Sequence, residues 1–210
     1  GTGDCVIAIN QAGDTNYNAA TPKFQTITVG KGSQTITFTS SFNTATVDGA
    51  TYTPTYTGGQ SINAVRISVS SASSAICEAN AGVISFHTVG DCVIEAYSPQ
   101  TQALAAASTI SKRIEIRADK ASAPFITSVA MGNLSINAGF TPPSYIGGSS
   151  VSAYTIVAID QTPNSTIEVS DTSCGTALVN GQISCRISGL ENGKSYKIKV
   201  AAINGAGEGE

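Results

Sequence analysis

The stretch Gly90-Asp91-Cys92-Val93-Ile94 repeats the stretch Gly3-Asp4-Cys5-Val6-Ile7 near the start of the chain, at an offset of 87 residues. The register continues without a gap, since the alternating segment 24–29 falls on the segment 111–116. A period close to the size of one small β-domain is typical of tandem modules. Because the first copy contains only final strands, we expect the chain to begin inside a module.

The composition is poor in charged residues and rich in hydroxyl and amide side chains, which is typical of extracellular β-rich proteins. Charged residues make up 12% of the chain, against ~25% in ordinary globular domains, and hydroxyl and amide side chains are abundant. A net charge of -3 without clustered lysine or arginine argues against nucleic-acid binding. The longest apolar run, 103–107, is far shorter than the ~20 residues that span a bilayer, and no N-terminal export signal is present. We therefore expect no membrane span in this segment, with any signal or anchor outside it.

Alternation of apolar and polar residues runs through most segments, as in 65–69 and 196–200, and predicts half-buried strands. Glycine-containing turn signals separate these strands about every ten to fifteen residues. The pattern predicts an all-β chain of Greek-key β-sandwiches. The candidate helix 100–108 is interpreted as a loop, because its equivalent in the first copy is rich in asparagine and ends at a proline.

The cysteines predict disulfides. Cys77 and Cys92 bracket a turn signal followed by a short strand, and such a hairpin can bring their Cα atoms within bonding range. Cys174 and Cys185 flank a second turn signal, Asn180-Gly181, in the same way. Cys5 is the repeat equivalent of Cys92, so its partner is expected in the missing part of the first module.

Metal ligation by the cysteines is the alternative, but the chain has no CxxC pair and only one histidine, His87. Disulfides persist in oxidising compartments. The cysteine pattern therefore favours a secreted or extracellular location, at the cell surface.

The C-terminal part resembles fibronectin type III domains. The segment 188–207 is similar to their E-to-F strand region, where Leu190 and Tyr196 fit the tyrosine corner, and the segment 134–154 resembles their B strand, loop and C strand. The resemblance covers about 118–210. It implies a β-sandwich, but the sequence departs from the family pattern in two ways. We expect Phe140 or Ile136 to replace the usual core tryptophan, and we expect the last strand to be lacking.

The repeated module resembles bacterial Ig-like repeats of long secreted surface proteins, most clearly at residues 14–20. With the repeat register, this resemblance predicts three parts. Residues 1–31 are the C-terminal strands of a truncated Ig-like repeat, residues 32–117 a complete repeat, and residues 118–210 the fibronectin type III-like domain. The short connector 118–124 predicts that neighbouring modules are held end to end as a rod.

No catalytic set is visible in the sequence. His87 is expected to face solvent on a strand, with no local nucleophile or orienting carboxylate. The acidic residues are isolated, and no Asp-x-Asp run marks a calcium loop. Asp119 at the module junction and Asp14 in its loop leave an interdomain calcium site as an alternative to the absence of any cofactor or metal.

One loop invites a binding interpretation. Pro142, Pro143, Ser144 and Tyr145 are expected to form an exposed aromatic tip between strands, and loops at sandwich ends often carry recognition.

These observations predict a non-catalytic, structural or adhesive module of a long secreted bacterial cell-surface protein, such as an adhesin stalk, surface filament or S-layer component. Its partners would be neighbouring modules of the same protein, and surface glycans, other cells or identical subunits. The alternative is a set of accessory or carbohydrate-binding modules of a secreted polysaccharide-degrading enzyme. Strands missing from the terminal modules belong to a longer chain or are supplied by neighbouring chains.

Overall fold

A computed structural model of the chain describes residues 1–59 and 65–210. The described part is all-β, as predicted, and its one helix is a 3-10 turn at Ser71–Ser73. No helix in these ranges is long and apolar enough to cross a membrane. The strands are β1 (Gly3–Ile9), β2 (Lys23–Val29), β3 (Ile36–Phe38), β4 (Thr44–Thr46), β5 (Tyr56–Gly58), β6 (Arg66–Val69), β7 (Cys77–Asn80), β8 (Val83–Phe86), β9 (Gly90–Tyr97), β10 (Ile110–Arg117), β11 (Phe125–Gly132), β12 (Ser135–Thr141), β13 (Ala153–Asp160), β14 (Glu168–Cys174), β15 (Ile183–Ser188), β16 (Tyr196–Asn204) and β17 (Gly207–Glu208).

Strands β1 and β2 form a two-stranded antiparallel ribbon, the N-terminal ribbon. Cys5 lies opposite Ile27 in this pair, and Cys92 lies opposite Ile114 in the pair of β9 and β10. The two pairs are therefore related by the same offset as the sequence repeat. Apolar side chains on both faces of the ribbon are exposed, among them Val6, Ile9 and Phe24.

The central sandwich comprises β3 to β10. One sheet has the order β4-β10-β9-β6, with β4 parallel to β10 and the other pairs antiparallel. The facing strands form the pairs β3-β5 and β7-β8, and an isolated bridge joins Tyr52, in the segment before β5, to Ile84 on β8. Period-2 alternation places the inward side chains of β8, β9 and β10 in one core, which includes Phe86, Ile94 and Ile114.

The C-terminal sandwich comprises β11 to β17 in two sheets, β11-β12-β15 and β14-β13-β16-β17. Its core holds Phe140 and Tyr154, whose rings meet edge to face with centroids 5.0 Å apart. Phe140 is fully buried. It therefore fills the centre of a sandwich that has no tryptophan.

The last strand is not wholly lacking, contrary to the sequence-based expectation. β17 pairs antiparallel with the end of β16, where Gly207 lies opposite Asn204 and Glu208 opposite Ile203. The Gly209 N–H then donates to the Ala202 carbonyl. A tight turn after β16 thus returns the chain onto the sheet, which the sequence pattern did not indicate.

Candidate functional site

The Cys77–Cys92 disulfide joins the two sheets of the central sandwich. Cys77 lies on β7 and Cys92 on β9, and their Cα atoms are 5.8 Å apart. The expected hairpin exists, since Ala81 and Gly82 take positive φ between β7 and β8. Cys92 is not on that hairpin, however, because it lies on the strand that follows and belongs to the opposite sheet. The bond is therefore an inter-sheet link and not a link across one hairpin.

The Cys174–Cys185 disulfide has the same role in the C-terminal sandwich. Cys174 ends β14 and Cys185 lies on β15, in the other sheet, with 5.5 Å between Cα atoms. The turn signal between them is real, because Asn180 and Gly181 both take positive φ. Each sandwich is thus cross-linked through its own core.

Cys5 is exposed on the N-terminal ribbon and is the free cysteine of the described residues. Its repeat equivalent, Cys92, is fully buried and bonded to Cys77.

The tyrosine corner has the expected geometry. The Glu191 N–H donates to the Tyr196 hydroxyl oxygen over 3.0 Å, and Leu190 is buried in the adjacent core. The Leu190 N–H also donates to the Leu134 carbonyl. These bonds fix the loop between β15 and β16 against the turn between β11 and β12.

The loop expected to be a free aromatic tip instead lies between the two sandwiches. Pro142 and Ser144 are exposed, but Pro143 is buried and Tyr145 is half-buried. The Tyr145 hydroxyl donates to the Val47 carbonyl of the central sandwich over 2.9 Å. Burial, and then the negative charges of Asp119 and Asp48, raise the pKa of Tyr145. The interpretation of Tyr145 as an exposed binding residue is therefore wrong.

The loop that contains Tyr145 also binds the connector, residues 118–124, between the two sandwiches. The Asp119 N–H donates to the Gly147 carbonyl, and the buried Asn204 amide donates to the carbonyls of Asp119 (2.7 Å) and Ile146 (2.9 Å). A Cβ atom at Gly147 would collide with the Asp119 carbonyl, and its φ is +66°. We call this set the joint: the connector, the 145–149 loop, Val47 and Asn204. Sequence reasoning missed Asn204, although an Asn-Gly pair after a strand is a turn signal.

His87 has two polar neighbours that the sequence did not indicate. It lies just after β8, with Nε2 3.2 Å from the Ser85 Oγ and 3.9 Å from the Glu78 carboxylate. Both groups approach the same ring nitrogen, whereas a catalytic triad needs the carboxylate on the other nitrogen to orient the imidazole. The side chains of His87 and Glu78 are 46% and 68% exposed. This arrangement does not supply an activated nucleophile.

The candidate calcium residues are engaged locally. The Asp14 carboxylate accepts N–H bonds from Asn16 and Tyr17, and the Asp119 carboxylate accepts one from Lys120. Within residues 1–59 and 65–210, no group of three or more histidine, cysteine or acidic side chains is arranged to hold a metal ion.

Asp160 is a buried carboxylate that the sequence analysis did not single out. It accepts hydrogen bonds from the Thr162 hydroxyl (2.6 Å) and N–H (2.9 Å), from Ser165 (3.1 Å) and from the Lys194 ammonium (3.1 Å). These bonds, those from Thr162 most of all, hold the pKa of Asp160 well below its usual range. Lys194 also pairs with Glu191 over 3.0 Å, and the two carboxylates raise its pKa. The cluster connects the end of β13 to the tyrosine corner.

We expect Asp160→Asn to lower the thermal midpoint of the C-terminal sandwich by several degrees at neutral pH, because the amide cannot accept all four bonds. A depressed folded-state pKa contributes stability that is present above the unfolded value of about 4 and is lost as pH falls below it. The difference between wild type and variant should therefore shrink below pH ~4. Calorimetry from pH 2 to 7 measures this, with the exposed Asp14→Asn as control. Equal midpoints at pH 7 would contradict the assignment.

One comparison with known proteins agrees with the fold of the C-terminal sandwich. A family model described as the fibronectin type III domain matches residues 122–210, which confirms the resemblance drawn for this part of the chain. No curated protein matches the sequence. Among 58 solved chains that match, the crystal structure of domains A168–A170 from titin is 14% identical, with a TM-score of 0.37, and covers 100% of this chain and 71% of the titin chain.

Proposed function

We propose that this chain is a non-catalytic structural spacer of a long secreted protein at a bacterial cell surface, of the adhesin-stalk, surface-filament or S-layer type. Tandem β-sandwiches that include a fibronectin type III match support a modular, structural role. The spacer would hold a more distal part of the protein at a set distance and direction.

The joint is the observation that carries this proposal. The Arg117 carbonyl, at the end of β10, accepts from the Val47 N–H, and two residues later Asp119 is held by Gly147 and Asn204. The last strand of one sandwich thus passes directly into a connector that the next sandwich binds on both sides. A flexible linker would lack these bonds, so the two sandwiches are suited to transmit orientation and load.

The two inter-sheet disulfides support the location and the mechanical role. Disulfides persist in oxidising compartments, which favours an extracytoplasmic site. Each bond also prevents the residues between its cysteines from extending when a sandwich unfolds under load. The sequence separations are 15 residues for Cys77–Cys92 and 11 for Cys174–Cys185.

Pulling the full chain from both ends in a force spectrometer tests this role. An extended residue spans ~3.5 Å, and the bonded Cα atoms are already 5.8 Å and 5.5 Å apart. Reduction should therefore lengthen the unfolding step of the central sandwich by about 47 Å and that of the C-terminal sandwich by about 33 Å. The oxidised chain should show only the two shorter steps.

A Cys5→Ala variant, which leaves both bonds intact, serves as control and should give the wild-type steps. Steps of full length without reductant would show that the disulfides do not limit extension, and the load-bearing proposal would fail.

A further inference from the structure

The chain has three Asn-Gly pairs, and they lie in different surroundings. The pairs are Asn180-Gly181, Asn192-Gly193 and Asn204-Gly205. An asparagine side chain before glycine can react with the backbone, because glycine has no Cβ and leaves its own nitrogen unhindered. The hydrogen bonds around each pair therefore decide whether the reaction occurs in the folded protein.

The reaction is a self-modification that needs only water. The glycine nitrogen loses its proton to the solvent and bonds to the asparagine Cγ, and the carboxamide nitrogen takes up a proton and leaves as ammonia. Water then opens the resulting five-membered imide at either carbonyl, which gives aspartate or isoaspartate. The net change replaces an NH2 group by an OH group and involves no oxidation. Asparagine is accordingly one of the thermally labile residues of proteins.

The closed joint holds Asn204-Gly205 in an unreactive arrangement. The Asn204 side-chain nitrogen donates to the carbonyls of Asp119 (2.7 Å) and Ile146 (2.9 Å), and the residue is 5% exposed. A buried nitrogen between two acceptors has no proton donor to assist its departure as ammonia. The attacking nitrogen is held as well, because the Gly205 N–H donates to the Ser149 hydroxyl oxygen over 3.2 Å.

One hydrogen bond within the same turn favours the reaction instead. The Ala206 N–H donates to the Asn204 Oδ1 over 2.9 Å, and this oxygen becomes negatively charged when the glycine nitrogen adds to Cγ. A donor aimed at a developing oxyanion stabilises it. Ala206 lies two residues from Asn204, whereas the acceptors that block the reaction lie in the connector and the 145–149 loop. Opening the joint therefore removes the bonds that prevent the reaction and keeps the bond that promotes it.

Asn180-Gly181 is the same pair without such protection. Both residues are exposed and take positive φ. The bonds across this turn join Val179 and Gln182, so they hold the backbone of the turn and not the Asn180 carboxamide. This pair is an internal reference for an unprotected site, far from the joint in sequence.

We propose that Asn204 is a self-modification site that the joint protects. In the closed joint Asn204 remains asparagine. When the 145–149 loop withdraws from the connector, Asn204 cyclises with Gly205 and becomes aspartate or isoaspartate. The proposal rests on the joint and does not require the spacer role.

The modification keeps an opened joint open. The product carries a carboxylate at the place where the closed joint needs a donor of two hydrogen bonds. This carboxylate would face the carbonyl oxygens of Asp119 and Ile146, which are acceptors only. Closure would therefore lose both bonds and bury an unpaired charge.

Modification rates in the full chain test the site. The folded wild type is incubated at neutral pH, and mass spectrometry of its digest follows each Asn-Gly pair by the mass gain from NH2 to OH. A synthetic peptide with the sequence of residues 200–209 gives the unprotected rate. Because only the opened fraction reacts, we expect Asn204 in the folded chain to react roughly tenfold or more slowly than in the peptide, and more slowly than Asn180.

Gly147→Ala tests whether the joint provides this protection. Its Cβ would collide with the Asp119 carbonyl, so the variant should accelerate the reaction at Asn204 several-fold and leave the rate at Asn180 unchanged. Gly193→Ala also places alanine at a positive φ, but its Cβ meets open space, and it should change neither rate. Both variants are incubated at a temperature at which calorimetry shows them folded.

Asn204→Asp tests the consequence of the modification. Its two sandwiches should tumble more independently in ¹⁵N relaxation and give a changed scattering profile. Asn180→Asp adds the same charge to the exposed turn and should retain the wild-type profile.

The proposal fails on any of three results. Asn204 could react in the folded wild type as fast as in the peptide, or at equal rates in the two glycine variants, and either result would remove the protection. Wild-type relaxation and scattering of Asn204→Asp would remove the consequence. These measurements need neither force nor a secreted source, so they can fail or succeed separately from the spacer role.

Discussion

Replacing Cys77 and Cys92 together by alanine should lower the free energy of unfolding of the central sandwich by about 3 kcal/mol, the chain-entropy value for a closed loop of about 15 residues. The bond joins two sheets through a fully buried site, so its loss also leaves a small cavity. Alanine is chosen because it adds no buried polar group. Chemical denaturation of the full chain measures the change in unfolding free energy, and calorimetry of the same variants provides a second measurement.

Cys5→Ala is the matched control for this prediction. Cys5 is the repeat equivalent of Cys92 but is exposed and unbonded in the described structure. Its replacement should change the unfolding free energy by less than ~0.5 kcal/mol. If the double variant also loses less than ~0.5 kcal/mol of unfolding free energy, the Cys77–Cys92 bond contributes little to the stability of the central sandwich.

Gly147→Ala should open the joint. An alanine at φ +66° costs roughly 1–2 kcal/mol in local backbone strain, and its Cβ would collide with the Asp119 carbonyl, which cannot yield without breaking its bond to Asn204. The loop must then withdraw from the connector and carry Tyr145 away from Val47. We expect the two sandwiches to tumble more independently, which ¹⁵N relaxation and small-angle scattering both detect.

Gly193→Ala separates local strain from disruption of the joint. Gly193 has φ +84°, but no atom lies within 4 Å of its virtual Cβ. This variant should lose similar backbone stability and keep the wild-type scattering profile. If both glycine variants scatter alike, the joint does not depend on the close approach of Gly147 to the connector.

The strand pattern predicted the fold class well because it depends on residues that are close to one another in sequence, and the repeat added the expected module boundaries. Period-2 alternation identified β6, β10 and β16, and the Asn180-Gly181 pair marked a turn that the structure contains. The offset of the sequence repeat recurs in the strand pairings, since Cys5 lies opposite Ile27 and Cys92 lies opposite Ile114. Local side-chain chemistry and turn preferences were sufficient for these features.

The joint and the Asp160 cluster could not be predicted in this way. Tyr145 and Val47 are 98 residues apart in sequence, and Asn204 and Asp119 are 85 apart. Asp160 ends β13, whereas Lys194 lies 34 residues away in the loop before β16. A turn-forming asparagine and a loop tyrosine have the same sequence signature whether they face solvent or another module, so only the packing of the two sandwiches distinguishes them.

The connector also affects where this chain can be divided. Ala121 is buried in the core of the C-terminal sandwich. It nevertheless lies before β11 and before residue 122, where the matched family region begins. The Asn204 amide donates to the carbonyls of Asp119 and Ile146, so without Asp119 one of its two buried N–H groups would lack a partner. A recombinant fragment that begins at Phe125 would thus lack part of its own interior. Residues 118–124 are part of the folded unit. A flexible tether accepts insertions and is readily cleaved by proteases, and we expect residues 118–124 to do neither.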